Sequence, residues 1–339
     1  MANLTYRNAV AAGLAQEMRR DPTVVLLGED VASGGVFKTT AGLREEFGAD
    51  RVWDTPISEQ AIVGAAMGAA MAGLRPVGEI MFADFYATCW DQVVNQIAKT
   101  RYMTGGQVRL PLVLRGTNGF ASMGFGGQHG QCCESWAMTV PGLKIVSPSS
   151  PAEMQGLLAA AIRDDDPVLV FEHKGLFGVQ EDVPDGEQYV PLGVARVVRP
   201  GADVTLVGLS ITVGYCLRAA ETLAAEGVDA EVIDLRCLVP LDAATVLDSV
   251  SRTGRVVVVE EGPGQLGWAA ALSAIVGEEA FGDLRAPVAR VSAGNVPWPV
   301  AAELEAEVAV SPARVVEAAR RVTDATRVSP MGQSEGSVR

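Results

Sequence analysis

The chain has 339 residues, of which 48% are apolar and 20% charged, and its formal net charge is −14. This composition excludes a disordered polymer. The excess of acidic over basic side chains argues against a surface that binds nucleic acid or anionic lipid. The length predicts about two domains of roughly 150 residues each.

The sequence leads us to expect neither a membrane span, nor a secretory signal, nor a cysteine-based metal site. The longest apolar run, residues 61–74, is shorter than the about 20 residues of a membrane span. The N-terminal segment has no basic stretch before an apolar one, so we expect a cytoplasmic protein without a membrane partner. Five cysteines without C-x-x-C spacing predict reduced thiols, and with two histidines a metal site would rely mainly on oxygen ligands.

Short apolar runs alternate with alanine-rich stretches in the first half of the chain, which is typical of an α/β fold with a parallel sheet. Buried strands are predicted at residues 24–27, 76–81, 110–114, 143–146 and 168–171. Helices are predicted at residues 62–72, 89–102 and 151–162. Residues 1–178 are therefore assigned to a first domain.

Residues 179–200 begin with an acidic segment that contains two prolines and no sustained periodicity, which indicates a linker. The alternation then restarts, with strands predicted at residues 204–207, 230–233 and 256–259, and helices at 213–225, after Leu241 and from Trp268. This predicts a second, smaller α/β domain at residues 201–323. The polar residues 324–339 are predicted to be a disordered tail.

The segment 54–60 precedes a helix rich in alanine and glycine. Its simplest interpretation is a helix start, with Ser58 as the cap and Glu59 stabilised by the helix dipole. Gly64 and Gly68 would let this helix approach another backbone closely, in the core or at a subunit interface. A carboxylate at the start of so apolar a helix would be poorly solvated, so that it could share a proton with a ligand nitrogen.

Aromatic residues follow the predicted strand at residues 76–81. Phe82, Phe85 and Tyr86 could pack in the core, or a ring at this carboxyl edge could stack on a planar heterocycle. The sequence leaves both interpretations open.

Residues 124–131 place His129 between glycines and glutamines after a buried strand. A lone histidine in a glycine-rich turn is usually structural. However, the glycines allow the backbone close to a ligand and the amides can orient the imidazole, which slightly favours a titrating role.

The one G-x-G-x-x-G match, residues 262–267, lies between a predicted strand and a predicted helix, as in a dinucleotide-binding turn. Glu260 and Glu261 would repel a pyrophosphate, and the strand at residues 288–291 ends without the acidic ribose ligand. We favour a tight strand-to-helix turn over a nucleotide site.

Taken together, these segments resemble the beta subunit of the thiamine-diphosphate-dependent first component of 2-oxo acid dehydrogenase complexes, of the pyruvate or acetoin type. The resemblance spans about residues 3–323, and its specific strings are LLGED (26–30), GGVFKTTAGL (34–43), DTPISE (54–59), AMAGLRPV (70–77), DQVVNQIAK (91–99), PGLKIVSPSSP (141–151), AAIRDDDPV (160–168) and VPLD (239–242). It implies a pyrimidine-binding α/β domain followed by a transketolase-like C-terminal domain. It also implies an alpha2-beta2 heterotetramer with active sites at the subunit interfaces.

The resemblance implies roles for four residues. Glu59 matches the carboxylate that hydrogen-bonds N1′ of the cofactor's aminopyrimidine, and Phe85 matches a ring stacked beside it. Glu29 is similar to an interface acid that communicates protons between the two sites. His129 matches the histidine of a Gln-His-Ser-Gln segment that assists substrate binding or acyl transfer to the lipoyl group, although Gly130 replaces the serine here.

The resemblance also bears on metal ions. It implies a structural potassium site bound mostly through backbone carbonyls, at Leu112, Ala161, Ile162, Asp164 and Asp166. The alternative is an acidic helix-to-strand turn that needs no ion. The Gly-Asp-Gly motif that holds magnesium and diphosphate in thiamine enzymes does not occur in the chain, so this part of the site is expected on the alpha subunit.

The substrate implied first is pyruvate, because Arg115-Gly116 and Gln128-His129 resemble the pyruvate type. Residues 80–85 and Glu172-His173-Lys174 suggest acetoin instead, and branched-chain 2-oxo acids rank third. A remote alternative is a non-catalytic nucleotide-binding module that uses residues 262–267. The acidic C-terminal domain is expected to dock on a dihydrolipoamide acyltransferase core.

Overall fold

The computed structural model describes residues 1–120 and 124–324. Its strands are β1 (Ala2–Thr5), β2 (Val24–Gly28), β3 (Val52–Asp54), β4 (Arg75–Phe82), β5 (Val113–Asn118), β6 (Lys144–Val146), β7 (Val168–His173), β8 (Gln180–Val183), β9 (Arg196–Arg199), β10 (Val204–Gly208), β11 (Ala230–Asp234), β12 (Cys237–Val239), β13 (Val256–Pro263) and β14 (Ala289–Ala293).

The α-helices are α1 (Tyr6–Arg20), α2 (Leu43–Phe47), α3 (Glu59–Met71), α4 (Ala98–Met103), α5 (Glu134–Met138), α6 (Pro151–Arg163), α7 (Ile211–Ala225), α8 (Ala243–Thr253), α9 (Trp268–Glu279), α10 (Ala302–Val308) and α11 (Pro312–Asp324). Short 3₁₀-helices lie at Val31–Ser33, Ala83–Cys89, Gly126–Gln128 and Lys174–Leu176, and a π-helix at Gln92–Ile97. None of the described helices has the length and hydropathy needed to cross a membrane.

Two main sheets organise the described residues, which confirms the predicted α/β class. The first sheet has the order β12-β6-β7-β5-β4-β2-β3, and all its strands are parallel except β12. The second sheet has the order β14-β13-β10-β11-β9, with β9 antiparallel at the edge. Strand β12 comes from the second half of the chain but extends the first sheet, so the two halves interlock.

Three predicted elements differ from the structure. The strand predicted at residues 110–114 is β5, which starts later because Pro111 has no N–H to donate to a neighbouring strand. The helix predicted at residues 89–102 is divided among a 3₁₀-helix, a π-helix and α4. Helix α3 starts at Glu59 as the motif suggested, but the Ser58 side chain makes no capping hydrogen bond.

The predicted linker, residues 179–200, contains strands at both ends. Strand β8 pairs with β1 at the start of the chain, and β9 joins the second sheet. The domain boundaries themselves stay a prediction. Of the predicted tail, Asp324 ends helix α11, and residues 325–339 lie outside the described residues.

A buried ion cluster joins three neighbouring strands of the first sheet. Arg115 on β5 is 1% exposed, and its Nε and Nη2 donate to the two carboxylate oxygens of Glu172 at 2.5 and 2.9 Å. Its Nη1 donates to Glu79 at 2.8 Å. Burial raises the pKa of Glu79, although Arg115 opposes that shift. The guanidinium therefore compensates two carboxylates that have little access to water.

We predict that Arg115→Met lowers the free energy of unfolding by about 3–5 kcal/mol, because it leaves buried carboxylates without a cation. Arg109→Met is the matched control, since Arg109 pairs with Asp165 at 2.6 Å but is 65% exposed, and it should cost under about 1 kcal/mol. Urea denaturation of the purified chain measures both values. Equal losses in the two variants would contradict the prediction.

Candidate active site

The carboxyl edge of the first sheet brings the predicted site residues together. Glu29 follows β2, Glu59 opens α3 after β3, and Phe85 lies in the 3₁₀-helix that follows β4. His129 lies in the loop after β5. Parallel strands place their carboxyl ends along one edge, where ligands bind in open α/β sheets. Four segments that are distant in sequence therefore meet at one place.

Glu59 is held loosely at this edge. Its side chain is half-buried, and the Thr88 hydroxyl lies between its Oε2, at 3.1 Å, and the Phe85 carbonyl oxygen, at 2.9 Å. Gln60 Nε2 donates to the Thr88 carbonyl oxygen at 3.0 Å, which ties the start of α3 to the same turn. No donor in the described part of the chain reaches Glu59 Oε1, so one carboxylate oxygen can accept a hydrogen bond from a ligand.

Glu29 differs from Glu59 in its surroundings. It is 9% exposed, and burial raises its pKa, with smaller contributions from the charges of Glu59 and Asp30. The site thus contains a half-buried carboxylate, Glu59, and a buried one, Glu29, whose pKa is raised by burial. This arrangement is compatible with the predicted proton communication, which stays a prediction.

The aromatic residues divide between the two interpretations that the sequence left open. Phe82 and Tyr86 are buried in the core, whereas Phe85 is half-buried. The His129 ring packs edge-on against Phe82 and Phe85, with centroid distances of 4.6 and 5.2 Å. Phe85 therefore combines packing against His129 with a partly accessible surface. Its stacking on a cofactor ring stays a prediction.

Gly130 is required by the shape of the histidine loop. A Cβ at this position would lie 2.8 Å from the Gly126 carbonyl oxygen and 3.3 Å from the Trp298 ring. Gly126 itself adopts a φ of +67°, which favours glycine. A serine here would force the loop to move, so the departure from the Gln-His-Ser-Gln segment matches a tighter turn.

The turn at residues 262–267 lies against an acidic side chain of the same chain, Glu260. Both oxygens of the Glu260 carboxylate accept backbone N–H bonds at the start of α9, from Trp268 at 3.0 Å and Ala269 at 3.1 Å. A Cβ on Gly267 would lie 2.0 Å from these oxygens. Burial raises the pKa of Glu260 to about 7. The place where a pyrophosphate would bind is filled, which supports a structural turn over a nucleotide site.

The predicted potassium ligands gather at one corner of the first domain. Two of their carbonyl oxygens, those of Ile162 and Asp164, accept hydrogen bonds from Arg75 Nη1 at 3.1 and 3.0 Å. Lys144 Nζ lies 2.7 Å from both oxygens of the Asp164 carboxylate and 3.2 Å from Asp166. The Leu112 carbonyl oxygen accepts from the Val168 N–H, and that of Ala161 from the Asp164 N–H.

This acidic turn therefore has cations from the chain's own side chains, and potassium there stays a prediction. Among the described residues, no group of three or more His, Cys, Asp or Glu side chains could hold a metal ion.

Sequence reasoning gave no catalytic or binding role to several charged residues close to the site, although it used some of them as signs of substrate type. Asp84 accepts hydrogen bonds from Gln131, and Lys174 donates to His129. His173 Nε2 lies 2.5 Å from Glu261 Oε2, which reaches it from the second half of the chain. The available signal was the position of Asp84 and Lys174, because each follows a buried strand that ends at the ligand-binding edge.

Comparison with known proteins identifies the family. Residues 2–180 match the transketolase pyrimidine-binding domain and residues 193–315 the transketolase C-terminal domain. The chain is 46% identical over 325 residues to the mitochondrial pyruvate dehydrogenase E1 component subunit beta of Dictyostelium discoideum, covering 94% of this chain and 91% of that one. It is 45% identical over 329 residues to the acetoin:2,6-dichlorophenolindophenol oxidoreductase subunit beta of Cupriavidus necator, covering 94% and 97%.

A solved structure described as a split gene transketolase, inactive beta4 tetramer, shares the fold. Its TM-score is 0.80 at 24% identity, over 96% of this chain and 100% of that chain. The chain therefore belongs to the transketolase-like family of thiamine-dependent dehydrogenases that contains the beta subunits of the pyruvate dehydrogenase E1 component and of acetoin dehydrogenase.

Proposed function

We propose that this chain is the beta subunit of a pyruvate dehydrogenase first component. With an alpha subunit it would decarboxylate pyruvate oxidatively and transfer the acetyl group to the lipoyl group of a dihydrolipoamide acyltransferase. The observation that carries the proposal is Glu59 at the ligand-binding edge: the Thr88 hydroxyl links its Oε2 to the backbone of the half-buried Phe85, and no donor among the described residues reaches its Oε1. The relatives of known name support it over most of the chain.

These residues fit the pyrimidine half of thiamine diphosphate, because they pair a hydrogen-bond acceptor with an aromatic surface. When bound, thiamine diphosphate supplies the electron sink for decarboxylation. Glu59 would accept a hydrogen bond from pyrimidine N1′ and hold the proton there. Phe85 would flank the pyrimidine, Glu29 would exchange protons with Glu59, and His129 would orient the substrate or the lipoyl group.

The other half of the site would come from the alpha subunit in an alpha2-beta2 heterotetramer. Two observations support this division: the sequence lacks the Gly-Asp-Gly motif, and the described residues hold no three-acid metal cluster. Magnesium and the diphosphate would then be bound by the alpha subunit. Potassium at Asp164 and Asp166 remains a secondary proposal, which rests on the resemblance alone.

Acetoin is the second candidate substrate. The acetoin subunit of Cupriavidus necator is 45% identical to this chain, against 46% for the pyruvate subunit of Dictyostelium discoideum, so identity does not separate them. Residues 172–174, Glu-His-Lys, favour acetoin by resemblance, and all three side chains are buried near the site. Branched-chain 2-oxo acids rank third.

We expect the reconstituted alpha–beta pair to turn over pyruvate with the highest kcat/KM in a panel of pyruvate, acetoin and branched-chain 2-oxo acids. A dye acceptor and a lipoyl acceptor should be compared, because the dye reports decarboxylation without the acyltransferase. Higher kcat/KM for acetoin would replace the first proposal by the second. No turnover of any of these substrates would contradict both.

We expect Glu59→Gln to preserve assembly but to lower kcat by about 100-fold or more, because a neutral amide cannot hold the shared proton. Glu45→Gln is the matched control: it makes the same change at an exposed glutamate in the first turn of helix α2 and should retain full activity. Steady-state kinetics of the reconstituted pair measure both. Near-normal turnover of Glu59→Gln would remove Glu59 from the mechanism.

We expect binding to the acyltransferase core to weaken as salt rises from 50 to 200 mM, at least several-fold. The net charge of −14 favours a basic partner surface, whose attraction is screened by salt. Calorimetry with the isolated acyltransferase binding domain measures the dissociation constant. An affinity that does not change with salt would count against electrostatic docking.

A further inference from the structure

Lys174 is a buried cation next to the histidine loop. Lysine occurs at four positions in the chain, and Lys174, directly after β7, is 3% exposed. Its Nζ donates to the His129 carbonyl oxygen at 2.7 Å. The same Nζ lies 5.7 Å from the centroid of the Phe82 ring and 5.4 Å from that of Phe125. One carbonyl and two aromatic rings therefore replace water around the ammonium.

Asp84 binds the same loop at Gln131, the residue that follows Gly130. It is 6% exposed, and its Oδ1 accepts hydrogen bonds from the backbone N–H of Gln131 at 3.2 Å and from the Gln131 side chain at 3.0 Å. Lys174 thus holds the residue before Gly130, and Asp84 the residue after it. We call Lys174 and Asp84 the loop clamp.

The opposite charges of Lys174 and Asp84 stabilise each other. Burial lowers the pKa of Lys174, and the nearby charge of Asp84 opposes that shift. Burying an ammonium is costly unless its surroundings compensate it. Here the compensating groups are the loop it binds and the carboxylate that binds the same loop. Release of either contact would leave a buried charge less stabilised, so the two contacts favour one loop conformation.

The loop needs such support because its glycines do not restrict it. Gly126 and Gly127 precede His129 by three and two residues, Gly130 follows it directly, and a glycine backbone samples more conformations than that of any other residue. The imidazole nevertheless lies against Phe82 and Phe85. We propose that Lys174 and Asp84 are positioning residues that fix His129 beside Phe85 for the reaction. This inference rests on the proposed function.

The test uses the reconstituted alpha–beta holoenzyme with Lys174→Met. The methionine keeps the length of the side chain but cannot donate to the His129 carbonyl. We expect backbone amides of residues 124–131 to exchange hydrogen at least tenfold faster, and kcat/KM for the oxo acid to fall about 10- to 100-fold, because small misplacements of reacting groups cost this much. The dissociation constant of thiamine diphosphate should stay within about twofold of the wild-type value.

Three further variants sharpen the test. Lys99→Met is the matched control, since Lys99 Nζ also donates to a backbone carbonyl, that of Pro141 at 2.9 Å, and it should change neither exchange nor kcat/KM. Lys174→Arg retains a cation and should recover part of the lost kcat/KM. Asp84→Asn keeps an acceptor for Gln131 but removes the charge, so its kcat/KM should fall less than that of Lys174→Met.

Wild-type exchange in the loop of Lys174→Met would overturn the proposal, whatever the activity. Faster exchange with unchanged kcat/KM would also overturn it, because the loop position would then not matter to the reaction. A weakened cofactor affinity that matches the activity loss would indicate general damage and likewise contradict positioning. If the wild-type enzyme turns over no oxo acid, the proposed function fails, and loop exchange alone decides whether the clamp exists.

Discussion

The site depends on one geometric constraint: parallel strands place all their carboxyl ends along the same edge of a sheet. Strands β2, β3, β4 and β5 therefore bring Glu29, Glu59, Phe85 and His129 together, although 100 residues separate the first from the last. Glu29, Glu59 and Phe85 lie within five residues of a strand end, whereas His129 lies on the longer loop that follows β5. The buried cluster of Arg115, Glu79 and Glu172 joins the three neighbouring strands β4, β5 and β7 of this sheet.

Residues from the second half of the chain contact β7 and the segment that follows the histidine loop. Glu261 contacts His173, the neighbour of Lys174, and the Cys132 thiol lies 3.3 Å from the same carboxylate. Glu260 accepts a hydrogen bond from Ser135 at 3.2 Å while it caps α9. The adjacent glutamates that looked unfavourable for a nucleotide site thus serve as anchors between the two sheets. The second half of the chain therefore contacts residues next to the histidine loop as well as completing its own sheet.

Much of the fold could be predicted from the sequence because apolar runs report burial directly. Strands β2, β4, β10, β11 and β13 lie where such runs predicted them. The prediction for β5 also ended too early, because the second half of the strand carries Arg115, Thr117 and Asn118, whose burial depends on partners elsewhere in the chain. Strand β8 was assigned to a linker because its partner, β1, lies near the other end of the domain.

In the candidate site too, residues whose partners are distant in sequence could not be predicted. Glu59 could be predicted from local signals, because a helix start and a resemblance both pointed to it. The loop clamp could not, since Asp84 and Lys174 are 90 residues apart and each is an ordinary polar residue in its own segment. Only the folded structure shows that both bind the residues that flank Gly130.

The central claim is that Glu59 receives the aminopyrimidine of the cofactor, and a density map of the alpha–beta holoenzyme with bound thiamine diphosphate tests it most directly. The account predicts that a Glu59 carboxylate oxygen lies about 2.7–2.9 Å from pyrimidine N1′, the distance of a charge-assisted hydrogen bond. A map in which the pyrimidine lies away from the start of α3, with Glu59 bound to solvent or to another side chain, would contradict it.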